Sequence, residues 1–293
     1  LRDTLLGYLT LLALKMMQCI DPHRMADFAA MVMRCVGPWL PEHKIGRANL
    51  AAAYSEKSVA EIEQILSGMW DNLGRVGAEF LNLDRIWDFD PLHPDPNGRI
   101  VIASADVERF IRLLKDGKPA LIFAAHLANW EMPALASAAN GLPSAVVYRA
   151  PNSQPIADAV LKIRAVNMGR LIRTGFVAPV KVAEALRQGL HVGMLVDQYN
   201  VQGVTVTFFG RRTKTNAMLA RLARQIECPI YGVRVVRLSG HRFRIELTDE
   251  IAPARDAMGR VDIDGTMQAI TNIIEGWIRE HPEQWLWVHR RWR

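Results

Sequence analysis

Ala120-Leu-Ile-Phe-Ala-Ala-His126-Leu-Ala-Asn-Trp-Glu131 is the stretch from which the rest of the chain can be read. An apolar run of strand character stops at a histidine. Asn129 can cap a following helix, with Glu131 in that helix's first turn. A strand-to-helix corner of this length can point His126 and Glu131 into one cleft at the carboxyl end of a sheet strand, where open α/β sheets hold their ligands. A histidine held by a carboxylate is a general base. A buried histidine paired for stability would show the same residue types, so the stretch alone leaves both readings open.

Downstream of the corner, strands and helices alternate. The pattern predicts a helix over Asn129–Asn140, a strand over Ser144–Tyr148, a helix over Ile156–Met168 and a short strand over Leu171–Arg173. A helix over Ala178–Gln188 and a strand over His191–Val196 follow, with Gly141, Gly169 and Gly189 as stops. Upstream, Ile100–Ala103 reads as a strand and Asp106–Lys115 as a helix. Such alternation implies an α/β fold with a mostly parallel central sheet flanked by helices. Beyond Asp197 we expect a strand over Val204–Phe208, a turn through Phe209–Arg212 and a helix over Thr215–Ile226. A hairpin about Ser239-Gly240 and a last helix over Asp262–Glu280 complete the series.

The front of the chain differs. Thr4 to Ile20 is apolar, broken by Lys15, and short for a span of ~20 residues. Met25 to Val36 is a second apolar patch, and methionines are frequent in both. Two helices are expected here, lying in a membrane interface or covering an apolar channel; an ordinary helical pair packed on the core is the plainer alternative. Ser58 and Glu61 form a capping-box pattern before a long helix reaching about Leu83. Pro91, Pro94, Pro96 and Gly98 mark a loop. The expected organisation is therefore a helical, membrane-associating segment over 1–90 and an α/β body over 91–293, in one compact unit.

Bulk properties narrow the function. The 293 residues carry a formal charge of +6, which favours an acidic partner: nucleic acid, an anionic membrane surface or an acidic protein. The three cysteines are far apart and odd in number, which argues against a disulfide scaffold. No GxSxG elbow, HExxH helix or GxxxxGK[ST] phosphate loop is present. What remains is a histidine–carboxylate pair acting on a hydroxyl supplied by a substrate, which suggests direct acyl transfer without an acyl-enzyme.

The His126-Leu-Ala-Asn-Trp-Glu131 stretch has the HxxxxE form of the HxxxxD/E motif of glycerolipid-type acyltransferases. Together with Tyr148-Arg149, Asp197-Gln198, Phe208-Phe209-Gly210 and the HPEQW…HRRW ending, it resembles the late (secondary) lipid A acyltransferases of Gram-negative bacteria. The resemblance runs from about residue 40 to the end of the chain. It implies a glycerolipid acyltransferase-like fold and an acyl carrier protein thioester as donor. It implies as acceptor a hydroxyl on a phosphorylated glycolipid, at the cytoplasmic face of the inner membrane. No cofactor, metal or nucleic-acid partner is expected. Another glycolipid or phospholipid acceptor with an acyl-CoA donor is the nearest alternative. A non-catalytic membrane- or nucleic-acid-binding module is the alternative of a different class.

On that resemblance His126 would take the proton from the acceptor hydroxyl, and Glu131 would fix its tautomer and stabilise the imidazolium. Asn129 would contact substrate, and backbone N–H groups near it would serve the oxyanion from a helix N-terminus. Arg149 and Arg164 would bind phosphate or carboxylate. Asp197 and Gln198 end a strand at the same sheet edge as His126 and would bind substrate; Asp197 could alternatively orient the base. Arg211, with Arg212 and Lys214, adjoins Phe208 and Phe209 and suits a lipid headgroup boundary or an acidic carrier protein. Trp285, Trp287 and Trp292 are expected to anchor the tail, its arginines facing acidic lipid or the site.

Overall fold

The computed structural model describes residues 20–151 and 153–293. Residues 4–19 of the first apolar stretch therefore lie outside the described residues. Three helices come first: α1 (Pro22–Val36), α2 (Pro41–Ala53) and α3 (Val59–Phe80). The body then runs β1 (Ile100–Ile102), α4 (Ser104–Lys115), β2 (Leu121–Ala124), α5 (Met132–Ala139), β3 (Ser144–Tyr148) and α6 (Gln154–Asn167). It continues through β4 (Arg170–Arg173), α7 (Ala178–Arg187), β5 (His191–Leu195), β6 (Tyr199–Phe208) and β7 (Arg211–Thr215). Helix α8 (Met218–Ile226), β8 (Ile230–Leu238), β9 (Arg242–Leu247) and α9 (Ile263–Glu280) complete it.

Seven strands form one sheet in the order β1-β9-β8-β2-β5-β3-β4. All neighbouring pairs are parallel except the β8–β9 hairpin. The expected α/β fold with a mostly parallel, helix-flanked sheet and N-terminal helices is what the chain adopts. None of the residues of the inner strands β2, β3 and β5 is exposed, which is why these read as short, mostly apolar runs, whereas β9 alternates Arg-Phe-Arg-Ile-Glu-Leu. On one face Leu121, Phe123, Val192 and Met194 join residues of α7, α8 and α9 in the larger core. On the other, Ile122, Ala124, Val233 and Ile245 pack with Met132 and Leu135 of α5.

The capping box holds as read: the Ser58 hydroxyl accepts the Glu61 N–H, and Glu61 in return accepts the Ser58 N–H at 2.8 Å. Helix α3 buries Leu66, Met69, Trp70 and Val76, and α1 lies along it. Three stretches differ from expectation. Helix α5 begins at Met132 rather than Asn129, with Glu131 at its N-cap instead of in the first turn. Helix α2, over which the sequence suggested no element, is begun by Pro41 at its first position. Its Gly46 permits close approach, since a Cβ there would stand 2.8 Å from Leu66. The turn expected over Phe209–Arg212 is confined to Phe209 and Gly210, both at positive φ, and Arg211–Thr215 pairs antiparallel with β6. Helix α8 consequently starts at Met218 rather than Thr215.

Candidate active site

Parallel pairing of β2 with β5 aligns Ala124 with Leu195. His126 and Asp197 each lie two residues beyond that aligned pair, level with one another at the carboxyl edge of the sheet. The Asp197 carboxylate receives His126 through both oxygens. Oδ1 lies 2.8 Å from the imidazole Nδ1, and Oδ2 accepts the His126 backbone N–H at 2.9 Å. The Trp285 indole N–H also donates to Oδ2, at 2.7 Å. Asp197 is 3% exposed. Burial alone would push its pKa up, but the His126 charge, the two His126 hydrogen bonds and the Trp285 N–H outweigh it and hold the carboxyl well below the usual range. An anion at Nδ1 fixes the tautomer with Nε2 free to act as base, as in a serine triad. The Gln198 amide nitrogen stands 3.4 Å from that Nε2.

The partner expected for the imidazole was Glu131, and this is corrected: the carboxylate on His126 is Asp197. Glu131 faces helix α6, where Arg164 grips it with both Nε, at 3.1 Å, and Nη2. The guanidinium lies over the rings of both Phe80 and Tyr148, each centroid 5.5 Å away. The reason lies in the turn. Ala128, fully buried, takes a left-handed φ of 47°, which swings the chain between the two residues.

That turn is braced from three sides. The C-terminal segment runs antiparallel beside it: Ala128 N–H donates to Gln284 O at 2.9 Å, and Leu286 N–H to His126 O at 3.1 Å. Asn72 of α3 donates to the carbonyls of both Ala128 and Gln284. Asn129 was expected to contact substrate, but it is fully buried. Its amide donates to Glu79 at 2.9 Å, and its Oδ1 accepts the Glu131 N–H. Glu79 is in turn clamped by Arg237 of β8. The N–H groups of Leu127, Ala128, Glu131 and Met132 are all donated within the protein. The oxyanion donors expected near Asn129 do not come from these four.

A cavity of about 810 Å³ opens at this edge, at the large end of the ~300–1,000 Å³ range of ligand pockets. His126, Glu131, Arg149, Arg164 and Gln198 line it. Asp197 sits behind the wall and reaches the cavity through His126. Arg149 directly follows β3 and is exposed. Arg211 does not line the cavity; it is exposed on β7, its guanidinium 5.7 Å from the Trp292 ring centroid. Trp285 and Trp287 are fully buried, as anchors should be, while Arg291, expected to face acidic lipid or the site, is 1% exposed and donates to Thr213 and the Lys214 carbonyl. Behind Asp197, His289 accepts the Tyr199 N–H at 3.4 Å, and burial pushes its pKa down to about 4.

Trp285, Gln284, Glu79 and Arg237 were missed as parts of the site. The first two lie in the HPEQW ending, which the sequence did flag. Glu79 and Arg237 sit inside apolar periodic runs, and a buried ion pair leaves no local signal.

Fold and site together define the class: an α/β enzyme with a carboxylate-held histidine at the mouth of a largely apolar cavity, the equipment of an acyltransferase. The chain belongs to the bacterial lipid A biosynthesis acyltransferase family, whose model matches residues 2–293. A search of curated proteins returns no match. Membership makes the protein a transferase and sets aside the reading as a non-catalytic binding module. Among the described residues, no helix is long and apolar enough to cross a membrane.

Proposed function

We propose that this protein moves a fatty acyl chain from an acyl carrier protein thioester to a hydroxyl of a phosphorylated glycolipid of the lipid A type. The observation that carries this reading is the imidazole held by a buried carboxylate at the mouth of the cavity. His126 Nε2 takes the proton of the acceptor hydroxyl as its oxygen attacks the thioester carbon. The C–O bond forms, the C–S bond breaks, and the thiolate leaves with the proton returned from the imidazolium. Asp197 stabilises that imidazolium, the part the sequence had assigned to Glu131. A positioned base of this kind contributes ~100- to 10,000-fold. Glu131 keeps the Arg164 fork fixed at the cavity wall, and Arg149 offers a free fork for an anionic group of donor or acceptor.

The proposed location is the cytoplasmic face of the inner membrane, bound peripherally or monotopically. In its support, Phe176 is 100% exposed beside Gly175 and Pro179 of the cavity lining, with Val177, Val180, Arg173 and Lys181 also exposed. Apolar and basic side chains at a cavity mouth suit an anionic bilayer that supplies a lipid acceptor.

The test is transfer from acyl carrier protein to a lipid A precursor, followed by intact mass. His126→Ala is expected to abolish the mass increment. Transfer only from acyl-CoA, or only to a phospholipid, would replace the donor or acceptor named above. Undiminished transfer by His126→Ala would remove the base.

A further inference from the structure

Two glycines in the central sheet have different reasons to be there. Gly232 of β8 is a packing glycine: a Cβ would stand 2.5 Å from the Phe123 ring and 2.9 Å from Trp277. Gly193 of β5 has no such reason. Its φ is ordinary, and a Cβ there would meet only the Ala145 carbonyl, at 3.9 Å. Glycine in a strand interior costs stability and often marks a place where a ligand approaches the backbone. Strand β5 is internal to the sheet, paired on both sides, yet Gly193 is not buried.

The exposure is to the cavity. Register aligns Gly193 with Ile122 of β2 and Val146 of β3, and all three line it. Ile122 packs with the α5-side core, so the missing Cβ points to that face. There the cavity runs as a trough between the sheet and helices α4 and α5, past Phe110 and Ala136. It starts at His126 and Tyr148 and ends at Leu113, Leu142, Ser144 and His191. Those last four are all buried, so the far end is walled. From Tyr148 to Ser144 is four strand steps, about 13 Å at ~3.3 Å each. A staggered chain of ~1.52 Å bonds advances about 1.3 Å per carbon, so roughly ten carbons cover that distance. Gly193 lies level with Val146, half-way along.

On the acyltransferase reading above, we infer that the α5-side trough takes the transferred acyl chain and that Gly193 sets its usable length. The chain lies across the backbone of Gly193, and any side chain there shortens the trough. The occupant is a straight saturated acyl chain whose thioester carbon stays at His126.

The experiment uses the full-length protein with a graded series of straight-chain acyl thioesters on acyl carrier protein and one fixed acceptor. Gly193→Ala and Gly193→Val are compared with wild type. Valine suits a strand, and the space for a Cβ is already present. The expected result is that kcat/KM for the longest accepted chain falls roughly tenfold or more, the range for one methylene misfit. Chains too short to reach Gly193 should be unaffected, with valine shifting the optimum further than alanine. A loss equal at every chain length would overturn the assignment, as would an unchanged profile in a folded variant. A shift that follows the acceptor's chain instead would also overturn it.

A second readout is independent of turnover: thermal stabilisation by free fatty acids of graded length. Wild type should favour longer chains than either variant. If wild type transfers nothing, the acyltransferase reading fails, and the same fatty-acid series still decides whether Gly193 measures chain length. Identical length preference in all three proteins would then sink the inference.

Discussion

The two ends of the His126–Glu131 corner behave as opposites. At the histidine end the imidazole is partly open to the cavity, and its carboxylate, Asp197, comes from a strand 71 residues away. At the glutamate end the carboxylate is nearly sealed and neutralised by Arg164 of helix α6, whose guanidinium lies over two rings. Six residues that read as one acid–base pair are divided between an ion pair that chemistry can use and one that holds the wall. Exposure makes the difference: a base must meet substrate, whereas a buried carboxylate with a bidentate partner has its lone pairs committed.

The largest expected effect tests which carboxylate serves the base. Asp197→Asn preserves shape but no longer fixes the tautomer, and a fall in kcat of up to ~10⁴ is expected with KM little changed, by steady-state kinetics. If Asp197→Asn keeps its kcat while Glu131→Gln abolishes it at unchanged thermal midpoint, the two ends have been assigned the wrong way round.

Next comes the glutamate end. Arg164→Ala leaves the Glu131 charge buried without its partner and should destabilise the fold by ~3–5 kcal/mol in urea unfolding. Loss of activity with undiminished stability would show that the pair serves chemistry rather than the wall.

The turn between the ends sharpens the contrast. Ala128 is fully buried at φ 47°, so Ala128→Val should cost ~1–3 kcal/mol in backbone strain and more in overpacking, while Ala128→Gly stays within about 1 kcal/mol of wild type. Equal stability of the valine and glycine variants would mean that the left-handed turn is not what separates the ends.

The smallest effect is with pH. His289 titrates lower folded than unfolded, so the unfolded chain binds more protons, and stability falls as pH drops from about 6.5 towards about 4. Asp197, also lowered, stabilises the fold above the ordinary carboxylate range and loses this as pH falls below it. His289→Gln should flatten the upper part of this acid slope by a few degrees in thermal midpoint. An unaltered slope would place the acid sensitivity elsewhere.

Much of the fold was legible because its signals are local. Gly141, Gly169 and Gly189 stop helices, Ser58 and Glu61 cap one, and apolar runs of four or five residues between them are buried strands. No element was read over helix α2; its Asn49 is buried and donates to the Trp287 and His289 carbonyls, partners far along the chain. In the same way β7 reads as a basic turn until β6 supplies its ladder.

For the site, the sequence by itself determined the corner, the histidine, the presence of Asp197 at the same sheet edge and the resemblance that the family match bears out. Tertiary structure alone decided which acid touches the imidazole, that Trp285 and His289 stand behind it, and that Asn129 and Arg211 lie away from the cavity. The reason is geometric. Caps and apolar runs are set by neighbours along the chain, but the His126–Asp197 contact depends on strand order and on a register that brings Ala124 opposite Leu195. Neither is encoded in any spacing between the two residues.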